Sequence, residues 1–195
     1  MRLNEQDFEP DDLSVRVAEL LVATADSTDE QIDNSVHEVL KLLRERLKMD
    51  VVFVSEFIDG KRVFQKVEST GRQVIAEGGC DPVEESWCIR VVDGRMPQLV
   101  NNAATHPATA DLKLSFPVGA HLSTPIVLKY GRIYGTLCCF SFGANESLNQ
   151  RDLKNLQYTA QLMAAKIDMQ LSRQQKAADA SRWGLEPIQP DLKRM

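Results

Sequence analysis

Ser123-Thr-Pro-Ile-Val-Leu-Lys-Tyr-Gly-Arg-Ile-Tyr-Gly-Thr-Leu-Cys-Cys-Phe-Ser141 decides the fold. Two β-rich runs, 120–129 and 132–142, flank Lys129-Tyr130-Gly131-Arg132, where Gly131 can take the positive φ that a tight hairpin needs. Strand parity sends Cys138 and Cys139 to opposite faces. In a strand covered on both sides, each is expected to be an inert, small apolar residue. Almost at once Asn149, with Asp152 three residues on, marks a helix start. Leu153, Leu156, Ala160, Met163, Ile167 and Leu171 then recur at spacings of three and four. That stripe suits a helix packed on a sheet at one end and on a partner helix at the other. Beyond Ser172 the chain turns polar and Pro187 and Pro190 exclude further helix, which predicts a loose tail over 172–195.

Toward the N-terminus the apolar spacing predicts helices near 11–25 and 29–48, with Thr28 and Gln31 satisfying a capping box at the second. Val51 to Ile58 and Arg62 to Ser69 read as antiparallel strands joined by Asp59-Gly60. Arg72 to Ala76 either continues the sheet or connects it onward. Asp81-Pro82-Val83-Glu84 predicts a helix capped by Asp81, with Trp87, Cys88, Val91 and Val92 as its apolar face and Gly94 as its stop. Met96 to Asn101 reads as a short edge strand, where Pro97 is tolerated. An irregular stretch from Thr105 to Phe116 follows.

Composition narrows the function classes. The 195 residues are 43% hydrophobic and 26% charged, which is ordinary for one globular domain with helical extensions. A net charge of −5 without a Lys/Arg concentration argues against nucleic acid as a partner. The acidic first ten residues lack a signal-peptide core, and no run approaches the roughly 18 apolar residues of a membrane span. A cytoplasmic protein with no membrane association is expected. Its four cysteines, two of them adjacent, suit free thiols better than a disulfide framework.

Three ordered pieces carry a family resemblance: Ser86-Trp-Cys88 with Val91, Val92 and Gly94; Leu99-Val-Asn-Asn-Ala103 with His106-Pro107; and Pro125-Ile, Gly131 and Tyr134-Gly-Thr-Leu-Cys138. In order and spacing they resemble the GAF domains of bacterial signalling proteins, here as a stand-alone domain. The resemblance implies an α/β (α+β) fold with a central antiparallel sheet of five or six strands. Terminal helices cover one face, and short helices and loops enclose a small-molecule pocket on the other. It divides the chain into an N-terminal helical extension over 1–27, the GAF-like domain over 28–171 and the polar tail. It further implies a homodimer through the terminal helices and an unidentified small molecule or signalling protein as partner. The cofactor stays unknown.

The residues expected around such a pocket are Trp87, Cys88, Asn101, Asn102, Leu112, Phe116 and His121, an apolar wall with a few convergent polar groups. Trp87, Val91 and Phe116 equally suit a plain core, and Asn101 and Asn102 equally suit a turn that satisfies backbone groups. The leading function is a sensory domain signalling through its terminal helices. Alternatives are a thiol-dependent reductase, such as a free methionine sulfoxide reductase using Cys80 and Cys88, and a dimerisation module with a vestigial pocket. Cys88 is followed by Ile89 rather than His, which disfavours a bilin, and an Asn-Lys-x-Asp-Glu signature for cyclic nucleotides is lacking. His106 or His121 could ligate haem, but a lone histidine is more often a hydrogen-bonding residue. Without a Cys-x-x-Cys or spaced His pair, no metal site and no catalytic residue is expected.

Overall fold

The computed structural model describes residues 12–22, 29–112 and 114–182. Helices α1 (Asp12–Val22) and α2 (Asp29–Leu47) lead into strands β1 (Val51–Ile58) and β2 (Lys61–Ser69). The short strand β3 (Cys80–Pro82), helix α3 (Trp87–Val92) and the short strand β4 (Leu99–Val100) follow. Strands β5 (Ala120–Val127) and β6 (Ile133–Ser141) and the long helix α4 (Gln150–Arg182) complete the order. All pairings are antiparallel, and the sheet runs β3-β2-β1-β6-β5-β4. The expected α/β architecture and hairpins are therefore present. Asp59 and Gly60 turn the first hairpin with φ of 50° and 74°, and Tyr130 and Gly131 turn the second with 62° and 78°. Those left-handed pairs match the twist of the flanking strands.

Period-two alternation divides the sheet into two different cores. On one face Val52, Val54, Leu122, Ile126, Leu137 and Cys139 meet Leu40 and Leu43 of α2 and Leu156 and Ala160 of α4. Each fully buried Leu there contributes about 2 kcal/mol of transfer free energy. On the other face Phe53, Phe64, Cys138 and Phe140 pack with Cys88, and Trp87, Val91 and Met96 form a neighbouring cluster. Helices α2 and α4 lie directly on strands, while α1 packs across both helices. The segment 1–27, expected to be an extension, thus puts Leu13, Val17 and Leu21 into the main core. Lys166 of α4 is buried where the three helices meet and donates to the Leu21 carbonyl at 3.4 Å and the Ser35 hydroxyl at 3.1 Å.

The chain departs from its sequence pattern in three places. No helix begins at Asp81: that residue belongs to β3, a 3-10 turn covers Val83–Glu85, and α3 starts only at Trp87. Of the two readings left open for 72–76 the connection is the one observed, while the 96–101 strand shrinks to Leu99–Val100. Helix α4 continues through Arg182, past Ser172, where the polar tail was expected. Its Leu171, counted in the apolar stripe, is exposed. The Thr28 cap lies outside the described residues. Among those residues, no helix is long and apolar enough to cross a membrane.

The start of α4 follows the expected capping box. Asn149 Oδ1 accepts from Arg151 N at 2.9 Å and Asp152 N at 3.3 Å, and Asp152 Oδ2 accepts from Asn149 N at 3.0 Å. Asn149→Ala removes the cap while leaving every core contact, so we expect a loss of about 1 kcal/mol, read as a lower urea midpoint with unchanged m.

Candidate functional site

The site forms where α3 lies on the face of the sheet opposite the helix layer. Ser86 caps α3, donating from Oγ to Val83 O at 2.7 Å and accepting from Ile89 N at 3.3 Å. The cap turns Trp87, Cys88 and Val91 inward. Beneath them, β5–β6 register pairs Ser123 with Cys138 and His121 with Phe140, so His121 and Cys138 are diagonal neighbours on one face. Cys138 Sγ and His121 Nε2 stand 3.2 Å apart. The ligand atoms of Cys88, His121 and Cys138 all lie within 4.8 Å of one another, and all three residues are buried.

Arg62 enters from β2. It sits opposite Asp81 of β3, gripping that carboxylate through Nε at 2.9 Å and Nη2 at 2.5 Å. Its remaining terminal nitrogen, Nη1, donates to Cys88 Sγ at 3.1 Å. The guanidinium also lies over the Phe64 ring at 4.8 Å and the Phe53 ring at 5.7 Å. Burial works against its charge, yet Cys88 and Asp81 together hold it above the ordinary arginine range.

The two thiols divide their protons unequally. The Cys138 hydrogen bond is the strongest influence holding Cys88 well below the usual thiol range; burial opposes it, and Arg62 and His121 reinforce it. Burial, then the bond to Cys88, pushes Cys138 well above that range. The shared proton is thus drawn toward Cys138, with the Arg62 guanidinium and the His121 imidazole beside the pair. His121 Nδ1 and Ser123 Oγ are buried and have no hydrogen-bond partner among the described residues.

A cavity of about 20 Å³ adjoins the cluster, room for a single water-sized group. Arg62, Trp87, His121 and Cys138 contribute to its wall, and Phe53, Phe64, Phe116 and Phe140 make it aromatic. Phe116 stacks on Phe140 with centroids 5.2 Å apart. The loop carrying Phe116 is fastened to α3 at two points: Trp87 Nε1 donates to Leu112 O at 3.2 Å, and Arg90 pairs with Asp111 at 2.6 Å.

Of the residues singled out from sequence, Trp87, Phe116 and His121 line this cavity, Cys88 lies in the cluster beside it, and Leu112 supplies a backbone anchor. Asn101 and Asn102 do not reach it. Asn101 Nδ2 donates to Asn145 O and Leu148 O, both at 2.9 Å, and Asn102 Oδ1 accepts from Ala104 N in an exposed turn. Asn101→Ala should therefore destabilise the protein by about 1–2 kcal/mol while leaving Cys88 labelling in the folded state unchanged, measured by urea melts and thiol alkylation.

Cys138 needs the larger correction. Expected to be inert, it stands beside Cys88 and His121, whereas Cys139 lies in the opposite core, where burial pushes its thiol up. Cys80 is exposed on β3 and has no helix start beside it. Arg62 and Asp81 were read only as strand and cap. Counting back from the hairpin turn does not by itself place His121, because a register shift between Ile126 and Val127 intervenes before His121 comes opposite Phe140.

A family model for the GAF domain matches residues 29–168. No curated protein matches the chain. Among solved structures, free methionine-R-sulfoxide reductase from Neisseria meningitidis, in complex with its substrate, is similar with a TM-score of 0.61 and 17% identity. That match covers 86% of this chain and 96% of that one. The GAF domain of an Acinetobacter phosphoenolpyruvate-protein phosphotransferase gives 0.63 and 13%, covering 92% and 100%. A phycoerythrobilin-bound GAF domain from a cyanobacterial phytochrome gives 0.66 and 13%, covering 89% and 100%. At these identities the likeness is one of fold.

Proposed function

This chain belongs to the GAF-domain family, and we propose that it is a sensory module whose input is read at the Arg62–Cys88–His121–Cys138 cluster and whose output is carried by the α1–α2–α4 layer. Strand parity is the observation that carries this reading. His121 and Cys138 face the cluster, and their next neighbours, Leu122 and Cys139, are buried at 0% exposure in the core against the helices. A close-packed interior passes a displacement of β6 to α4 instead of absorbing it. Occupancy shifts the helix layer only if the occupant binds its two arrangements with different affinity.

Native mass spectrometry of freshly purified protein, with thermal shifts across metabolite and metal-ion panels, tests the reading. A bound mass or a shift that disappears in His121→Phe is expected. An empty protein that responds to nothing overturns ligand sensing. The partner surface is also open to test: Met169 and Leu171 of α4 are exposed apolar residues, 41% and 37% accessible. Met169→Glu would break a dimer built on this helix. Ala160 is no use for that purpose because it is buried within the chain.

A reductase reading has one observation in its favour, two thiols, Cys88 and Cys138, whose sulfurs lie within 4.8 Å of each other. Against it, Cys88 is fully buried and the adjoining space holds only a water-sized group. Turnover of free methionine sulfoxide that requires reductant and vanishes in Cys88→Ser would decide for it.

A further inference from the structure

We propose that Cys88, His121 and Cys138 form a three-ligand site for a thiophilic divalent cation of the zinc class, with its fourth position facing the cavity. This deepens the sensory reading by naming the class of its ligand, and it rests on the same cluster. The three donors come from α3, β5 and β6, so no spaced sequence motif announces them; the fold assembles the set. Their ligand atoms already lie within 4.8 Å of one another. Donors bonded to one zinc at about 2.0–2.3 Å are separated by roughly 3.3–4 Å, so small side-chain movements suffice.

The donor chemistry selects the ion. Two sulfurs and an imidazole suit a soft or borderline metal and exclude magnesium and calcium, which take oxygen. Charge favours a dication: two thiolates neutralise it, and the neighbouring Arg62–Asp81 pair is itself neutral. A monovalent ion would leave a net negative charge in a site whose ligands are 0%, 3% and 1% exposed.

The position of Arg62 also fits a bound ion. Arg62 Nη1 already points at Cys88 Sγ from 3.1 Å and is held there by Asp81, the arrangement by which outer groups orient a ligating thiolate and moderate its charge. The imidazole presents Nε2 to Cys138, and Nδ1 is buried with no hydrogen-bond partner among the described residues. Ligation through Nε2 fixes the proton on Nδ1. The cavity of about 20 Å³ bordering His121 and Cys138 then accommodates one water or small exogenous ligand in the fourth position. Binding is ligand exchange: the hydrated ion sheds water, any remaining thiol proton passes to buffer, and no electron moves.

The test begins with chelator-stripped, reduced protein titrated with Co²⁺ and then with Zn²⁺. One ion per chain, a thiolate-to-cobalt charge-transfer band and displacement of that band by zinc are expected. Cys88→Ser and Cys138→Ser should each lower the affinity by roughly a hundredfold or more. Because a buried serine can disturb folding, the wild-type chain supplies a second measurement. Zinc should shield Cys88 and Cys138 from maleimide in mild denaturant, whereas the exposed Cys80 stays reactive.

Substoichiometric binding, a band that survives in both serine variants, or zinc that shields neither buried thiol overturns the site. Hydrogen exchange in α4 separates the two proposals. Zinc bound at this cluster with no change in α4 keeps the metal site and removes the sensory reading. A response of α4 to another small molecule, without zinc binding, does the reverse.

Discussion

Gly135→Ala is expected to yield no stably folded protein. A Cβ built on Gly135 would lie 1.9 Å from Ser55 O, 2.7 Å from Ser55 C and 2.9 Å from Glu56 Cα. These are backbone atoms of β1, which with β6 forms the central pair of the sheet, so no side chain can swing aside. Glu56 is the residue directly opposite Gly135 in the β1–β6 ladder. Relief requires β1 to move away from β6, and β1 carries Val52 and Val54 into one core and Phe53 into the other. Overpacking of this kind costs about 3 kcal/mol or more, a large part of the roughly 5–15 kcal/mol that holds a domain folded. Soluble expression and a urea melt give the result. Gly131→Ala provides the contrast, since nothing lies within 4 Å of its Cβ and only its φ of 78° is strained. That loss should be about 1–2 kcal/mol, with the protein still folded. Equal effects from the two substitutions would show that β1 yields more easily than its two-sided packing implies.

These glycines show what was legible in the sequence. Gly131 could be read because a turn is local chemistry, and so could the Asn149–Asp152 cap of α4. Gly135 could not, since its role depends on how closely β1 approaches β6. Asp81 illustrates local pattern losing to tertiary pairing. It satisfies the rule for a helix cap, yet Arg62 lies directly across the β2–β3 ladder and takes both carboxylate oxygens. Freed from that duty, α3 starts later and caps on Ser86.

The candidate site was legible by halves. Cys88 and His121 stood out as a thiol and an imidazole among apolar neighbours, and parity separated Cys138 from Cys139. Parity names the face, however, and says nothing about what covers it. Only the packing of α3 over β5 and β6 sets Cys88 against Cys138. Asn101 and Asn102 failed for the converse reason: their polarity suggested a ligand, but unsatisfied carbonyls nearby claimed Asn101.

Asp81→Ala should cost more than Arg62→Met, although both break the same ion pair. Arg62 is 6% exposed, and its guanidinium is held among Asp81, Cys88, Phe53 and Phe64. Removing Asp81 strands that cation against Cys88 Sγ and the two phenylalanine rings. Breaking a buried pair from one side costs about 3–5 kcal/mol. The Asp81 side chain is 37% exposed, so water reaches the gap and the lower end, about 3 kcal/mol, is expected. Arg62→Met removes the buried charge itself. Methionine can fill the space between the two phenylalanine rings, while the half-exposed Asp81 carboxylate turns to solvent. The remaining loss, the hydrogen bond to Cys88 and the ring contacts, is about 1–2 kcal/mol. The double variant should therefore be close to Arg62→Met alone, giving a coupling of about 3 kcal/mol in a thermodynamic cycle. Urea midpoints at unchanged m measure all four corners. If Arg62→Met proves the more damaging single change, the pair's weight lies in how the arginine packs and grips Cys88, and its charge is secondary.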